Sequence, residues 1–265
     1  MGKLCKNQLV GKLAAIVVAV LLVGGGVTFT ATAQADETLV QKLVTLFRGH
    51  AQTEIDNAVM QAKSQLAAET KETRRNNLEK LFDNQIATLK DRGVPQQILG
   101  MLQDQKNTVV TKASNMTIGA GNTPFIPVIK PSYLGYYGLM SLVRNGAKEG
   151  YSYLNPALIT DKMETPNGLY YIYDVEDGEA MRGKSPEAAE KLLKEQRRSP
   201  LTAAEVLALA THTDVLSRHF VDATGSRYGS GDVPFLWLDG GLPGLDYGWA
   251  DFAISEWGSA SCGSR

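Results

Sequence analysis

Nucleophilic or metal chemistry has few candidates in this chain, which holds two cysteines and three histidines in 265 residues. Cys5 lies in a hydrophobic N-terminal leader, so Cys262 is the one thiol left to a folded part. A cysteine nucleophile acts as a thiolate beside a histidine base. His219 would be that base, giving a cysteine-dependent hydrolase acting on cell-envelope material. Against this, Cys262 stands three residues from the end in a Gly-Ser-Ala-Ser stretch, and a frayed segment does not hold a rigid active site. A half-buried small residue, or a thiol pairing between chains, is the simpler reading. His212 and His219 are seven apart, which places them on one side of a single helix, with Asp214 nearby. A zinc site needs a further protein ligand at suitable spacing, and none is evident. No metal and no cofactor are expected.

Signatures of other chemistries are missing. There is no H-E-x-x-H, no paired C-x-x-C, no G-x-S-x-G, no G-x-x-x-x-G-K and no helix-opening G-x-G-x-x-G. Asp174 to Gly178 superficially suggests a calcium loop, but the positions five and three before the glycine hold Tyr173 and Val175 instead of acids. A Glu-Asp-Gly hairpin turn is the better expectation.

A block near the C-terminus has more to offer. Arg227, Trp237, Asp239, Asp246, Trp249, Asp251 and Trp257 fall within about thirty residues among glycine-rich turns. Tryptophan with nearby carboxylates and an arginine is the chemistry of a saccharide or peptide groove, where stacking and directed hydrogen bonds supply the contacts. The competing reading is that each tryptophan fills a small sheet's core. Trp237 lies inside the apolar run Val233 to Leu238 and is expected to be buried. Trp249 and Trp257, beside glycines and acids, are the candidates for ligand contact, with Asp246, Asp251 and Arg227.

The elements that must position these residues divide near Asn115. Between Asp36 and Thr117 the aromatics are Phe47 and Phe82 and the one proline is Pro95, in a background rich in helix formers. Leu39, Leu43 and Phe47 make a helical stripe ended by Gly49. Ile55, Val59, Ala62 and Leu66 make a second, and Leu78, Phe82, Ile86 and Leu89 a third, each expected to pack into a core. The polar stretch Glu69 to Asn77 predicts a break or a projection into solvent. Gly93-Val94-Pro95 is a stop, and Gln96 to Thr111 a further helix.

Beyond Gly119 the pattern alternates. Phe125 to Lys130 reads as a strand moved toward an edge by Pro127. Ser132 to Val143 reads as a helix ending at Asn145-Gly146, and Leu169 to Val175 as a central strand. Ser185 caps a helix opening at Pro186. Thr202 and Glu205 form a capping box, with Leu201 and Val206 as a hydrophobic staple. Thr213 to Val221 is expected to continue as helix and Gly225 to Gly231 as a loop. Pro234 to Leu238 and Leu245 to Ala253 are expected as strands. The fold class that follows is α+β: a mostly antiparallel sheet with flanking helices over residues 118–265, preceded by a helical arm over 36–117.

Residues 1–35 carry an address. Lys3, Lys6 and Lys12 precede the apolar run Leu13 to Val23, and Ala33-Gln34-Ala35 offers a cleavage site. A signal peptide and a secreted protein are expected, the alternative being an uncleaved membrane anchor. The leader holds three lysines and no acid, whereas the chain has 27 basic and 28 acidic residues, so the remainder is acidic. With no basic block longer than Lys71 to Arg75 or Arg197-Arg198, no nucleic acid is expected as a partner.

Five pieces, in order, carry a resemblance: Tyr171 to Gly178, Arg198 to Thr202, Gly225 to Arg227, Val233 to Trp237 and Trp257 to Cys262. Over most of residues 124–265 the chain resembles a bacterial domain family of unknown function, commonest in actinobacteria, with a weaker echo in Thr38 to His50. The resemblance implies a fold unit and no catalytic activity, and it makes Ala51 to Asn115 an insert. The expected function is a secreted, non-enzymatic binding or interaction module for a protein or saccharide ligand.

Overall fold

The computed structural model describes residues 37–265, and between 37 and 69 it describes the side chains of only part of the chain. The basic head, apolar run and cleavage site of the expected leader lie outside the described residues, as do the side chains of Leu39, Leu43, Phe47, Ala62 and Leu66. Among the described residues no helix is long and apolar enough to cross a membrane.

Helix α1 spans Glu37–Asp91 without interruption. Gly49, expected to end a helix, lies inside it, since one glycine costs only about 1 kcal/mol relative to alanine among strong helix formers. Packing divides the chain between Thr70 and Lys71, well before residue 117. In the first unit, of the second stripe's described side chains Ile55 is half-buried and Val59 exposed. In the second unit the third stripe packs as its spacing predicts, with Leu78, Phe82, Ile86 and Leu89 all buried. The polar stretch before it stays helical. Arg75 pairs with Glu79 one turn on (2.9 Å), and the Arg74 guanidinium donates to the carbonyls of Ala113 (3.0 Å) and Met116 (2.6 Å).

After the stop at Gly93-Val94-Pro95, the single helix expected is two, α2 (Gln96–Gln103) and α3 (Lys106–Asn115). A bond from Gln105 N to Leu102 O (3.1 Å) tightens the turn between them, and the Gln105 amide reaches the Leu169 carbonyl (3.3 Å). Strand β1 (Thr123–Val128) pairs antiparallel with β6 (Tyr170–Val175), Pro127 opposite Tyr171. The two form a two-stranded sheet, so β6 is not the central strand its sequence predicts; its other side carries only isolated bridges, from Tyr173 to Ser264 and, just past its end, from Glu176 to Ser261.

Helix α4 (Pro131–Leu142) kinks at Gly135. It ends before Asn145-Gly146, whose left-handed glycine instead turns the hairpin of β2 (Arg144–Asn145) and β3 (Lys148–Glu149). Helix α5 (Pro186–Glu195) starts at the Ser185 cap. The capping box of α6 (Ala203–His212) forms with both of its bonds.

The largest sheet has five strands in the order β12-β8-β10-β11-β4: Trp257–Ser259, Phe220–Asp222, Val233–Asp239, Leu242–Gly248 and Tyr151–Ser152. β10 and β11 form the expected hairpin around Gly240-Gly241, both at positive φ, the backbone of a two-residue turn. That turn sets the register, so the second strand begins at Leu242 and ends at Gly248, not at Ala253.

Three further expectations are corrected. Thr213 is extended and its hydroxyl bonds back to Leu209 O (2.8 Å), which ends α6. Phe220 to Asp222 is therefore the strand β8 and not helix. Part of the expected loop after Gly225 is the strand β9 (Ser226–Tyr228), paired with β5 (Ile159–Asp161). Gly178 turns no hairpin; at φ 105 it opens a short 3-10 turn, Glu179–Met181. Most strand pairs are antiparallel, and the fold is α+β. One core joins Leu78 and Phe82 of α1 to Val221, Leu236, Leu245 and Cys262.

Candidate functional site

The two faces of the five-stranded sheet have different jobs. Val221, Leu236 and Leu245 belong to the core. The alternate residues of β8, β10 and β12 face the other way. The register puts Phe235 opposite Asp222 on β10, and Trp257 and Ser259 beside Phe220 and Asp222 on β12. Four rings make this face aromatic. Phe220 meets Trp237 and Trp257 edge-on, each at 6.3 Å between centroids. Phe235 lies 3.9 Å from Trp257 and 6.2 Å from Trp237.

A loop from Trp249 to Glu256 folds over part of this face. It is held where Glu187 N, in the first turn of α5, donates to Ala250 O (3.0 Å), and where Trp257 N donates to Ile254 O (3.2 Å). Beneath it is a cavity of about 60 Å³ lined by Pro186, Asp222, Val233, Phe235, Gly248, Trp249, Phe252, Ile254 and Trp257. That is several times the room one water needs. Trp249 forms its outer wall and is 71% exposed, its ring edge-on to Phe252 (6.3 Å).

Asp222 lies at the inner end of this cavity and is only 3% exposed. No hydrogen bond or ion pair from the described residues reaches its carboxylate. Burial alone pushes its pKa up to about 7, since a charge taken out of water without a partner is disfavoured. The hydroxyl of Ser259, paired with Asp222 in the register, is likewise buried without a partner. Folded proteins rarely leave such groups unmatched, and a desolvated carboxylate in a cleft marks a candidate functional site.

The binding residues expected from sequence separate here. Trp249 and Trp257 line the same cavity. Asp246, exposed on β11 opposite Phe235, accepts from Tyr247 N (2.9 Å). Asp251 is exposed on the covering loop between Trp249 and Phe252. Arg227 is not in this group: its guanidinium is held by Glu190 and by the carbonyls of Thr224 (2.9 Å) and Ser226 (2.7 Å). Trp237 is half-buried on the aromatic face, because the core side of β10 belongs to Leu236. Sequence reasoning missed Asp222, Phe235 and Phe252. The alternation Phe220-Val221-Asp222 was the available signal, and it was hidden by reading that stretch as helix.

The cysteine-histidine candidates do not meet. Cys262 is fully buried in β13 (Ser261–Cys262), which pairs with β7 (Ser199–Pro200), so its segment is not frayed. Burial pushes its thiol up to about 12, the reverse of an activated nucleophile. His219 donates from Nδ1 to Phe220 O (2.9 Å) and turns Nε2 toward Asp177 (3.7 Å) and Glu179 (3.6 Å). Burial pulls its pKa down, but Asp177, the Phe220 carbonyl and Glu179 together outweigh it and the net shift is upward. The 3.7 Å separation is an ion-pair distance, too long for a hydrogen bond. His212 ends α6 against the apolar side chains of Leu89, Leu142 and Leu207. Burial there lowers its pKa to about 3. The two histidines are thus on different elements, and among the described residues no group of three His, Cys, Asp or Glu could hold a metal ion.

The shared motifs named above meet one another. Arg198 pairs with Asp174 (2.7 Å) and donates to the Ser261 hydroxyl (2.8 Å). Gly258 lies so close to Gly178 that a Cβ there would sit 2.1 Å from the Gly178 carbonyl oxygen. These residues brace the scaffold that carries the aromatic face. Over residues 80–265 the chain matches DUF5701, a family of unknown function, and it belongs to that family. The match begins within α1, so α2 and α3 are part of the family unit and not an insert. No curated protein and no solved structure matches the chain.

Proposed function

We propose that the protein is a non-enzymatic binding module whose ligand site is the aromatic cavity under the 249–256 loop. The observation that carries this reading is Asp222: a buried carboxylate without a partner, at the end of a cleft walled by Trp249, Trp257, Phe235 and Phe252. Aromatic walls supply contact area, and one polar group at the base fixes orientation. Export is the second part of the proposal, supported by the basic head, apolar run and A-x-A site of residues 1–35.

Trp249 reports occupancy, because a ligand entering the cavity must cover its exposed ring. Titration with cell-envelope saccharides, short peptides and small amines should shift tryptophan emission for at least one class, and Trp249→Ala should abolish the response. A panel without effect, or a response that survives in Trp249→Ala, removes the site. The cysteine-dependent hydrolase loses its support, since the Cys262 thiol is buried and its pKa raised. Its test is labelling by a thiol probe at neutral pH: slow labelling is expected, and fast labelling that depends on His219 would revive it.

A further inference from the structure

Resting on that site, we infer that the cavity takes a small organic cation, the head of a free alkylammonium compound, seated between the tryptophan rings with its charge on the Asp222 carboxylate. Three observations bear on the choice. The carboxylate is unpartnered and nearly inaccessible, so the occupant that satisfies it carries a positive charge or donates hydrogen bonds. The walls are aromatic rings, whose faces attract a cation through the ring quadrupole and contribute more when desolvated. The cavity, at about 60 Å³, admits a head group and not a folded partner's surface.

The elements around the entrance agree in sign. Asp246 is on β11, Asp251 on the covering loop, Glu187 in the first turn of α5 and Glu256 just before β12. Arg182 and Lys184, before α5, are the nearest cations along that segment. Arg182 is committed to Glu179 (3.1 Å) and to the Ser255 carbonyl (3.3 Å). A saccharide would also stack on the rings and could donate a hydroxyl to the carboxylate, but it would leave the buried charge uncompensated.

The probes are tetramethylammonium, its neutral near-isostere tert-butanol, and N-acetylglucosamine, titrated into the full chain with calorimetry and tryptophan emission. Tetramethylammonium should bind at least tenfold more tightly than tert-butanol. Its affinity should rise with pH through about 7 as Asp222 loses its proton. Asp222→Asn keeps the shape, removes a buried charge and should still fold; it should weaken tetramethylammonium at least tenfold and flatten the dependence near pH 7. Equal binding of the cation and the alcohol, or an unaffected Asp222→Asn, overturns the cation. N-acetylglucosamine bound in a Trp249-dependent way without tetramethylammonium overturns the cation and leaves the binding module standing. Silence from all three probes overturns the cation, and silence across the wider ligand panel removes the binding module too.

Discussion

Asp222 makes the protein's stability a function of pH in a direction opposite to that of most carboxylates. Its pKa rises from the usual 3.8 to about 7 through burial. Between those values the folded state keeps a proton that the unfolded chain has already released. Stability contributed by the neutral carboxyl is therefore full below about pH 4 and is lost as pH rises to about 7, by about 4 kcal/mol in all. Denaturant titrations at pH 5 and pH 8 should show about two-thirds of this loss, the rest falling below pH 5, and Asp222→Asn should remove most of it. An identical slope in the variant would assign the loss to other groups. The aromatic side chains should rank by burial in the same assay. Phe235→Ala, with 7% of the residue exposed, should cost about 3 to 5 kcal/mol. Half-buried Trp237→Ala should cost less than that, and Trp249→Ala should cost less than about 1 kcal/mol because its ring is already in water. If Trp249→Ala proves as damaging as Phe235→Ala, the loop is a structural lid and not the wall of a site.

At the scale of elements, local rules read the termini of helices better than the identity of strands. The capping box at Thr202 and Glu205 is written in four residues, and both of its bonds are present. What those residues do not disclose is that Glu205 is also the centre of a buried network. Its carboxylate receives Arg265 at 2.6 and 2.7 Å and the Tyr170 hydroxyl at 2.9 Å. These partners lie 35 and 60 residues away in sequence, so no local pattern could connect them. Removing one member of a buried pair leaves an uncompensated charge, a loss of about 3 to 5 kcal/mol. Arg265→Ala should therefore lower unfolding free energy by that order in denaturant titration, and a loss under about 1 kcal/mol would mean that water or Tyr170 replaces the arginine. β8 shows the opposite failure. Three residues that alternate between the two faces of a sheet, after a helix, carry too little signal for a period to be read. The buried carboxylate of the candidate site sits on that strand, so the centre of the site stayed hidden while its rim, Trp249 and Trp257, was legible from residue type.

For the whole molecule, a composition boundary and a packing boundary are different things. The change from aromatic-poor to aromatic-rich sequence near Asn115 is real, but side chains from both sides of it fill one core. Phe82 stacks on Tyr171 at 5.7 Å and leans on Phe125 at 6.3 Å, while Leu102, Val110 and Ala113 are fully buried in the same cluster. Helical periodicity in α1 correctly identified Leu78, Phe82, Ile86 and Leu89 as core, and it could not say whose core they fill, because composition carries no information about tertiary partners. The consequence can be measured by truncation. A chain beginning at Lys71 retains every residue of the main cluster and should melt in one cooperative transition close to that of a chain beginning at Asp36. A chain beginning at Ile118 would expose the faces of β1 and β6 that α1, α2 and α3 cover, losing several large side chains at about 2 to 5 kcal/mol each. That exceeds the stability of an ordinary domain, and the shortened chain should show no cooperative unfolding by circular dichroism. A stable, cooperative 118–265 fragment would mean that the helices are an accessory layer and that the sheet carries a core of its own.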